Sequence, residues 1–89
     1  MDFHTVQKIK NVSGPQVRKI RYQLKLSQPE LAARCQRLGW DVSRDIIARI
    51  ELQTRWVGDF ELALLANALK VSIADLIPAK SLLEEAYKR

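Results

Sequence analysis

The stretch SQPELAARCQRLGWDVSRDIIARIE, residues 27–51, decides the fold, because it contains two short amphipathic helix patterns that each begin at a serine. Apolar residues recur at helical spacing in both patterns, at Leu31, Cys35 and Leu38 and then at Ile47 and Ile50. Between the two patterns, Gly39 predicts that the first helix ends in a left-handed conformation. Two helices joined by a short turn form the unit that places one helix in the major groove of DNA.

Three more helices are predicted around this pair. Pro15 follows a glycine and suits the first turn of a helix over about 15–25. Asp59 is the expected cap of another helix, whose inward residues are Leu62, Leu65, Ala66 and Leu69. Ser72 and Asp75 form a capping box for a short fifth helix that a proline closes. No segment alternates with period two, so we expect an all-α fold of five helices.

Size and charge narrow the class of protein. The chain has 89 residues, enough for one domain, and its 15 Lys and Arg against 10 Asp and Glu give a net charge of +5. This balance favours a polyanionic partner, nucleic acid first and an anionic membrane surface second. No apolar run is long enough to span a bilayer and no segment resembles a signal peptide, so we expect a cytoplasmic protein without a membrane anchor.

Residues for catalysis or metal binding are sparse. Cys35 is the only cysteine, so no internal disulfide can form, which fits a reducing compartment. His4 is the only histidine, so histidine and cysteine cannot together build a metal site. No nucleophile stands in a pattern with a base, and there is no glycine-rich phosphate loop. We therefore expect no enzyme, no cofactor and no bound metal ion.

A set of short motifs runs in order through the chain: Ile20-Arg21, Leu26-Ser27-Gln28, Glu30-Leu31-Ala32, Ser43, Ile47, Ile50-Glu51, and Ala68-Leu69 through Val71-Ser72 to Leu76. With these motifs, residues 15–78 resemble the phage Cro and repressor-type helix-turn-helix family, also called the XRE family. The resemblance implies a five-helix, lambda-repressor-like DNA-binding domain over 15–78. We expect residues 1–14 to form a flexible N-terminal arm and residues 79–89 to form a C-terminal tail with helical propensity.

The sequence departs from the family pattern in four features. The turn between the second and third helices, within CQRLGWDV, is longer than usual. Gln53 and Lys70 stand where the family commonly has glycine, and Asp45 adds a negative charge to the third helix. The first three features affect loop geometry, whereas the fourth weighs against simple strong DNA binding. We expect Trp40 to fill the gap at the long turn, and Trp56 to pack in the core or a loop or, as the alternative, to lie against the DNA backbone.

The third helix, residues 43–51, is the expected recognition helix. With its isoleucines inward, helix geometry turns Arg44, Asp45, Ala48 and Arg49 outward, and the resemblance implies that such positions read base edges. Arginine can donate two hydrogen bonds to guanine, a carboxylate can accept one from cytosine, and alanine can touch a thymine methyl group. A solvated helix face is the alternative for all four residues. For Asp45, stabilisation of the helix dipole is an equal alternative.

Phosphate contacts are expected at the amino ends of the second and third helices and at nearby cations. Free amides at a helix start bind phosphate readily, and the resemblance implies that Gln28 anchors the DNA backbone there. The expected phosphate-binding residues are Ser27, Gln28, Lys25, Arg34, Arg37, Ser43 and Arg55, of which the two serines are helix caps first. Arg21 and Glu51 match a family pair that forms a structural salt bridge between the first and third helices.

These features predict a sequence-specific transcriptional regulator of the repressor type, which binds double-stranded DNA as a homodimer on a palindromic site. The expected dimer surface lies in the fifth helix and the tail, at Leu76, Ile77, Leu82 and Leu83. The alternative is a protein-interaction module, such as an antitoxin or a phage-regulatory partner. DNA binding is favoured if one face carries Gln28 together with Arg37, Arg44, Arg49 and Arg55. Acidic residues on that face and an apolar patch elsewhere would favour the alternative.

Overall fold

The computed structural model describes residues 9–87, and within them the chain forms five α-helices and one 3₁₀ helix, with no strand. The elements are α1 Gly14–Gln23, α2 Gln28–Arg37, α3 Arg44–Glu51, α4 Asp59–Leu69, the 3₁₀ helix Ile73–Leu76, and α5 Lys80–Tyr87. The all-α prediction is confirmed. The predicted fifth helix is the 3₁₀ helix, and α5 forms in the predicted tail. In this part of the chain, no helix has both the length and the apolar character needed to cross a membrane.

Serine caps fix where α2 and α3 begin. The Ser27 hydroxyl accepts from the Glu30 amide at 3.1 Å, and the Glu30 carboxylate accepts from the Ser27 amide at 2.7 Å. This is the capping box that the sequence predicts, and the hydrogen bond from the Ser27 amide lowers the pKa of Glu30. The Ser43 hydroxyl accepts from the Ile46 amide at 3.3 Å. Each cap accepts a hydrogen bond from an amide that has no partner within the helix, and so fixes the residue at which the helix begins. The starting residue in turn sets which residues face inward.

One apolar core joins α1, α2, α3, α4 and the 3₁₀ helix. Its largest fully buried side chains are Val17, Leu31, Val42, Ile47, Ile50, Leu65, Leu69 and Leu76. Cys35 is also fully buried, and this burial raises the pKa of its thiol to about 11. The thiol is therefore protonated at neutral pH and packs as a small apolar group.

Two predicted positions are wrong. Leu38 is 40% exposed instead of inward, because α2 ends at Arg37 and Leu38 already belongs to the turn. Leu76 is fully buried in the core, so it cannot contribute to a dimer surface. Ile77 and Leu83 are half-buried, and the side chain of Leu82 lies outside the described residues.

The long turn between α2 and α3 is well anchored. Gly39 has a φ of 96°, the left-handed conformation that lets the chain leave α2. Val42 is 1% exposed in the core, and the Gln36 side chain donates to the Val42 carbonyl oxygen at 2.8 Å. Trp40 is half-buried against the core, as the sequence predicts. The additional residues thus lengthen the turn without separating α2 from α3.

Gln53 and Lys70 keep the backbone that a glycine would adopt. Their φ values are 64° and 60°, both in the left-handed region. Lys70 ends α4 in this conformation. A side chain makes this conformation costlier than it is for glycine.

Candidate nucleic-acid interface

The outer face of α3 is open to solvent. Ile47 and Ile50 are fully buried behind it. On the opposite side, the side chain of Arg44 is 59% exposed and that of Asp45 is 74% exposed, with 3.3 Å between guanidinium and carboxylate. An exposed pair at this distance holds neither group firmly. All four predicted base-reading residues lie away from the core, since Arg49 is exposed and Ala48 is half-buried.

Leu52, which directly follows α3, extends the same face. It is 67% exposed although it is a leucine. The sequence prediction missed it, but its spacing gave a signal, since it stands four positions after Ala48 and seven after Asp45 on the helix period. The outer face of α3 thus carries one apolar, one small, one acidic and two basic side chains, a mixed surface that can contact both polar base edges and methyl groups.

A buried ion pair ties the carboxyl end of α3 to α1. Arg21 Nε lies 2.7 Å from Glu51 Oε2, and Arg21 donates a second hydrogen bond to Glu51 Oε1 at 3.0 Å. Its Nη1 donates to the Leu26 carbonyl oxygen at 2.8 Å. The hydrogen bond to Glu51 raises the pKa of Arg21. The side chains are only 7% and 3% exposed, so the pair that the resemblance implies is present as an internal, bidentate contact.

The N-terminal segment holds the same end of α3 from another side. The Asn11 side chain donates to the carbonyl oxygens of Ile50 at 3.1 Å and Arg55 at 2.8 Å, and accepts from the Gly14 amide at 2.7 Å. The Gln53 side chain donates to the Asn11 carbonyl oxygen at 3.0 Å. These bonds connect the N-terminal segment to Ile50 in the last turn of α3 and to residues 53–55 of the loop that follows it.

The flexible arm predicted over 1–14 therefore does not extend through this segment. Residues 1–8 of that prediction lie outside the described residues. Asn11 is fixed by the hydrogen bonds described above, the Lys10 amide donates to the Gln53 carbonyl oxygen at 3.0 Å, and Gly14 already belongs to α1. A Cβ on Gly14 would overlap the Ile50 carbonyl oxygen, so glycine is what lets α1 approach the end of α3 this closely.

An open groove of about 590 Å³ lies beside the outer face of α3. It is lined by Arg18, Arg21 and Tyr22 from α1, Ser27, Gln28 and Pro29 at the start of α2, and Arg44, Ala48, Glu51 and Leu52 along α3. The groove therefore places two exposed arginines, Arg18 and Arg44, beside the amino end of α2, where the Glu30 amide is already paired with the Ser27 cap. Guanidinium groups next to the positive end of a helix dipole can bind a phosphate.

Arg18 and Tyr22 are groove residues that the sequence prediction missed. They stand four positions apart in α1 and therefore share one face, a signal that the predicted helix over 15–25 already contained. The Arg18 guanidinium lies 5.5 Å from the Tyr22 ring centroid, and the Arg21 guanidinium lies 4.7 Å from it. Hydrogen bonding to Arg18, and then to Arg21, lowers the pKa of the Tyr22 hydroxyl.

Three of the predicted phosphate-binding side chains have other partners. Arg34 donates to the Ala68 carbonyl oxygen at 3.0 Å, near the end of α4. Arg55 pairs with Glu61 through two bonds of 2.9 and 3.1 Å, which lower the pKa of that carboxyl. Gln28 donates to Glu51 Oε1 at 3.1 Å, although it lines the groove. Glu61 offsets the charge of Arg55 and leaves less of it for a phosphate, whereas Arg34 bonds a neutral carbonyl group and keeps its charge.

The other four predicted phosphate-binding residues lie at the surface. Lys25 and Arg37 are exposed, and the caps Ser27 and Ser43 are exposed at the starts of α2 and α3. The predicted cationic face is therefore split, since Arg37, Arg44 and Arg49 are exposed while Arg55 is paired with a carboxylate.

Comparison with known proteins gives one match. A family model described as helix-turn-helix matches residues 17–76, more than half of the chain, and the match covers α1 from Val17 through the 3₁₀ helix. No curated protein and no solved structure matches the chain.

Proposed function

The chain belongs to the Cro/C1-type helix-turn-helix family, also called the XRE family, and from that premise we propose that it is a sequence-specific transcriptional regulator that inserts α3 into the major groove of double-stranded DNA. The family binds DNA through its helix-turn-helix. The finer proposal is that a homodimer places two copies of α3 on a palindromic site, about 34–36 Å apart. One small helical module buries too little surface to bind a specific site tightly.

The observation that carries the proposal is the free outer face of α3. Arg44 and Arg49 are exposed there, and Ile47 and Ile50 anchor the helix from behind. A helix that is fixed on its inner face and unobstructed on its outer face can enter a groove without rearrangement. Each arginine that donates two hydrogen bonds to a guanine contributes about 1–3 kcal/mol of base discrimination.

Phosphate binding is proposed for the groove between α1, α2 and α3. Arg18, Tyr22 and Arg44 line this groove beside the amino end of α2, where the helix dipole adds partial positive charge. The hydroxyl of Tyr22 is a suitable donor, because the neighbouring guanidinium groups make it more acidic. Lys25 and Arg37 remain in the proposed set as exposed cations and Arg34 as a half-buried one, whereas Arg55 is paired with Glu61.

Selection of bound sequences from a random duplex pool tests base reading. We expect the wild-type protein to enrich one palindromic motif, and Arg44→Ala and Arg49→Ala each to relax the preference at one position of each half-site. Arg37→Ala is the matched control, since it removes an equally exposed charge from α2 and should weaken binding while leaving the motif unchanged. A pool without enrichment would contradict sequence-specific binding, and a motif unchanged by both α3 variants would contradict the choice of reading residues.

Salt dependence tests the groove with two adjacent residues of α1. Arg18 lines the groove beside α3, whereas Lys19 lines a different groove together with Lys70 and Asp75. Each neutralised phosphate contributes about 0.9 to the slope of log affinity against log salt concentration. We expect Arg18→Ala to reduce the slope for the proposed homodimer by about 1.8, which is about 0.9 for each copy, and Lys19→Ala to leave it unchanged. Equal slopes for both variants would place the phosphate elsewhere.

A protein-interaction module, such as an antitoxin or phage-regulatory partner, is the second candidate function. It is favoured by Asp45, whose side chain is 74% exposed at the amino end of the outer face of α3. A carboxylate at this place repels phosphate and suits a basic protein partner. A selection without enrichment, obtained with protein whose circular dichroism shows intact helices, would shift the assignment to this candidate.

A further inference from the structure

A second open groove, of about 450 Å³, lies between α1 and the carboxyl end of α4, and we call it the α1–α4 groove. Its lining combines apolar side chains with cations. The apolar side chains belong to Ile20, Leu24, Leu69 and Val71, and the cations are Lys19 and Lys70. Leu24 is 42% exposed, so the groove leaves apolar surface accessible to a partner.

The cations of the α1–α4 groove are available for an anionic group. Lys19 and Lys70 are both exposed, and every ion pair within residues 9–87 is formed by an arginine, so neither ammonium group has a carboxylate partner there. Asp75 also lines the groove, but one of its carboxylate oxygens already accepts from the amide of Ser72 at 3.0 Å and from its hydroxyl at 2.9 Å. The groove therefore has more positive than negative charge to offer.

Lys70 stands in a conformation that glycine would adopt at lower cost. It ends α4 with a φ of 60°, in the left-handed region that an L residue disfavours. A glycine could follow the same backbone path without this cost. Because the lysine makes the turn less stable, its presence points to a use for the ammonium group outside the fold.

We propose that the α1–α4 groove binds an acidic, amphipathic segment of another protein. Apolar side chains of the segment would cover Leu24 and its apolar neighbours, and carboxylates would pair with Lys19 and Lys70. DNA suits the groove less well, because a phosphate backbone could pair with the lysines but could not cover the apolar side chains. The lining thus favours a protein partner over a nucleic acid.

The groove is separate from the surface proposed to bind DNA. Arg18 lines the groove beside α3, whereas Lys19 lines the α1–α4 groove, and the two grooves share no lining residue. Adjacent residues of an α-helix point about 100° apart, so α1 presents these two cations in different directions. The partner would therefore bind whether or not α3 lies in DNA, and the inference does not rest on the proposed DNA binding.

Two lysines with the same backbone conformation provide matched variants. Lys25 has a φ of 58°, close to that of Lys70, but it does not line the groove. The probe is a short fluorescein-labelled peptide of glutamates and leucines, and its binding is measured by fluorescence anisotropy. We expect Lys70→Gly to weaken binding about fivefold, and Lys25→Gly, which removes the same charge elsewhere, to weaken it by less than about twofold.

Thermal unfolding separates this loss of binding from a loss of structure. Glycine relieves the positive φ in both variants, so we expect each of them to raise Tm by about 3 °C. A Lys70→Gly variant that is more stable but binds the peptide more weakly is the result expected of a lysine kept for a partner. A lowered Tm for Lys70→Gly would show that the fold itself needs the lysine, and would overturn the proposal.

The apolar part of the groove has a matched pair of its own. Leu24 and Leu38 each follow the last residue of a helix and are 42% and 40% exposed, but only Leu24 lines the groove. We expect Leu24→Gln to weaken peptide binding about fivefold and Leu38→Gln to leave it unchanged. A control peptide with glutamine in place of glutamate should bind about tenfold more weakly than the acidic one.

Three results would overturn the proposal. Equal weakening by the two glycine variants would mean that the peptide responds only to the net charge of the protein. Equal affinity of Leu24→Gln and Leu38→Gln would mean that the apolar side chains of the groove are not covered. With a mixed-sequence duplex, a salt slope reduced by about 0.9 per copy in Lys70→Gly would assign the groove to DNA.

Discussion

At its carboxyl end, α3 is held by a buried arginine, by Asn11 and by the close approach of α1, whereas its amino end projects Arg44 and Asp45 into solvent. The carboxyl end is thus positioned by contacts between residues far apart in sequence. The amino end is defined locally, by the Ser43 cap. A helix that is to enter a groove needs this difference, because one end must be rigid and the other must be unobstructed.

The largest expected effect comes from breaking the buried pair. In Glu51→Ala, Arg21 would remain inside the protein without a partner for its charge, and Gln28 would lose an acceptor. We expect the free energy of unfolding to fall by about 3–5 kcal/mol, measured by urea denaturation. The double variant Arg21→Met/Glu51→Met is the control, and it should lose less than Glu51→Ala alone. If the double variant were the less stable of the two, the penalty would not come from the unpaired charge.

The approach of α1 to the end of α3 should be nearly as sensitive. In Gly14→Ala, the added methyl group would overlap the Ile50 carbonyl oxygen and lie 3.1 Å from that of Glu51, both backbone atoms that cannot rotate away. We expect a loss of about 3 kcal/mol in urea denaturation. Gly58→Ala is the control, because nothing lies within 4 Å of a Cβ there, and only about 0.5 kcal/mol of cap preference is lost. Equal losses in the two variants would show that α1 has room to move.

The difference between the two ends of α3 also explains which of its contacts could be predicted from the sequence. Caps and helix periodicity predict α1 to α4 and the outward position of Arg44, because both depend on residues a few positions apart. The Arg21–Glu51 pair followed from the family resemblance. No pattern predicted the contacts of Asn11, because its acceptor on Ile50 lies 39 positions away and nothing in the sequence distinguishes it from any surface asparagine.

The predicted phosphate-binding residues could be predicted only in part from the sequence. Sequence reasoning placed Arg34 and Arg55 at the surface, but it could not show that an acceptor on α4 lies within reach of each guanidinium. Arg18 and Tyr22 were predictable as exposed residues of one helix face. Their place beside α3 depends on the angle at which α1 packs, and no local pattern encodes that angle.

Removing Asn11 should loosen the carboxyl end of α3 without exposing a charge. Asn11→Ala leaves the carbonyl groups of Ile50 and Arg55 and the amide of Gly14 without this partner. We expect a loss of about 2 kcal/mol and faster amide hydrogen exchange in residues 51–55. Asn11→Asp is the matched second variant, because it keeps the oxygen that accepts from the Gly14 amide but loses the two N–H donors of the side-chain amide. Protection of residues 51–55 equal to wild type in both variants would contradict a role for Asn11 in fixing α3.

The smallest expected effect on stability comes from the outer face of α3, and it completes the comparison. Arg44 and Arg49 extend into solvent, so Arg44→Ala and Arg49→Ala should each change the free energy of unfolding by less than about 0.5 kcal/mol. The same variants are expected to alter base preference. If a variant loses affinity for DNA but keeps its stability, its arginine contacts a partner and does not support the fold. If either variant instead lowered stability by as much as Asn11→Ala, its arginine would be supporting α3 from within, and the outer face would not be free to enter a groove.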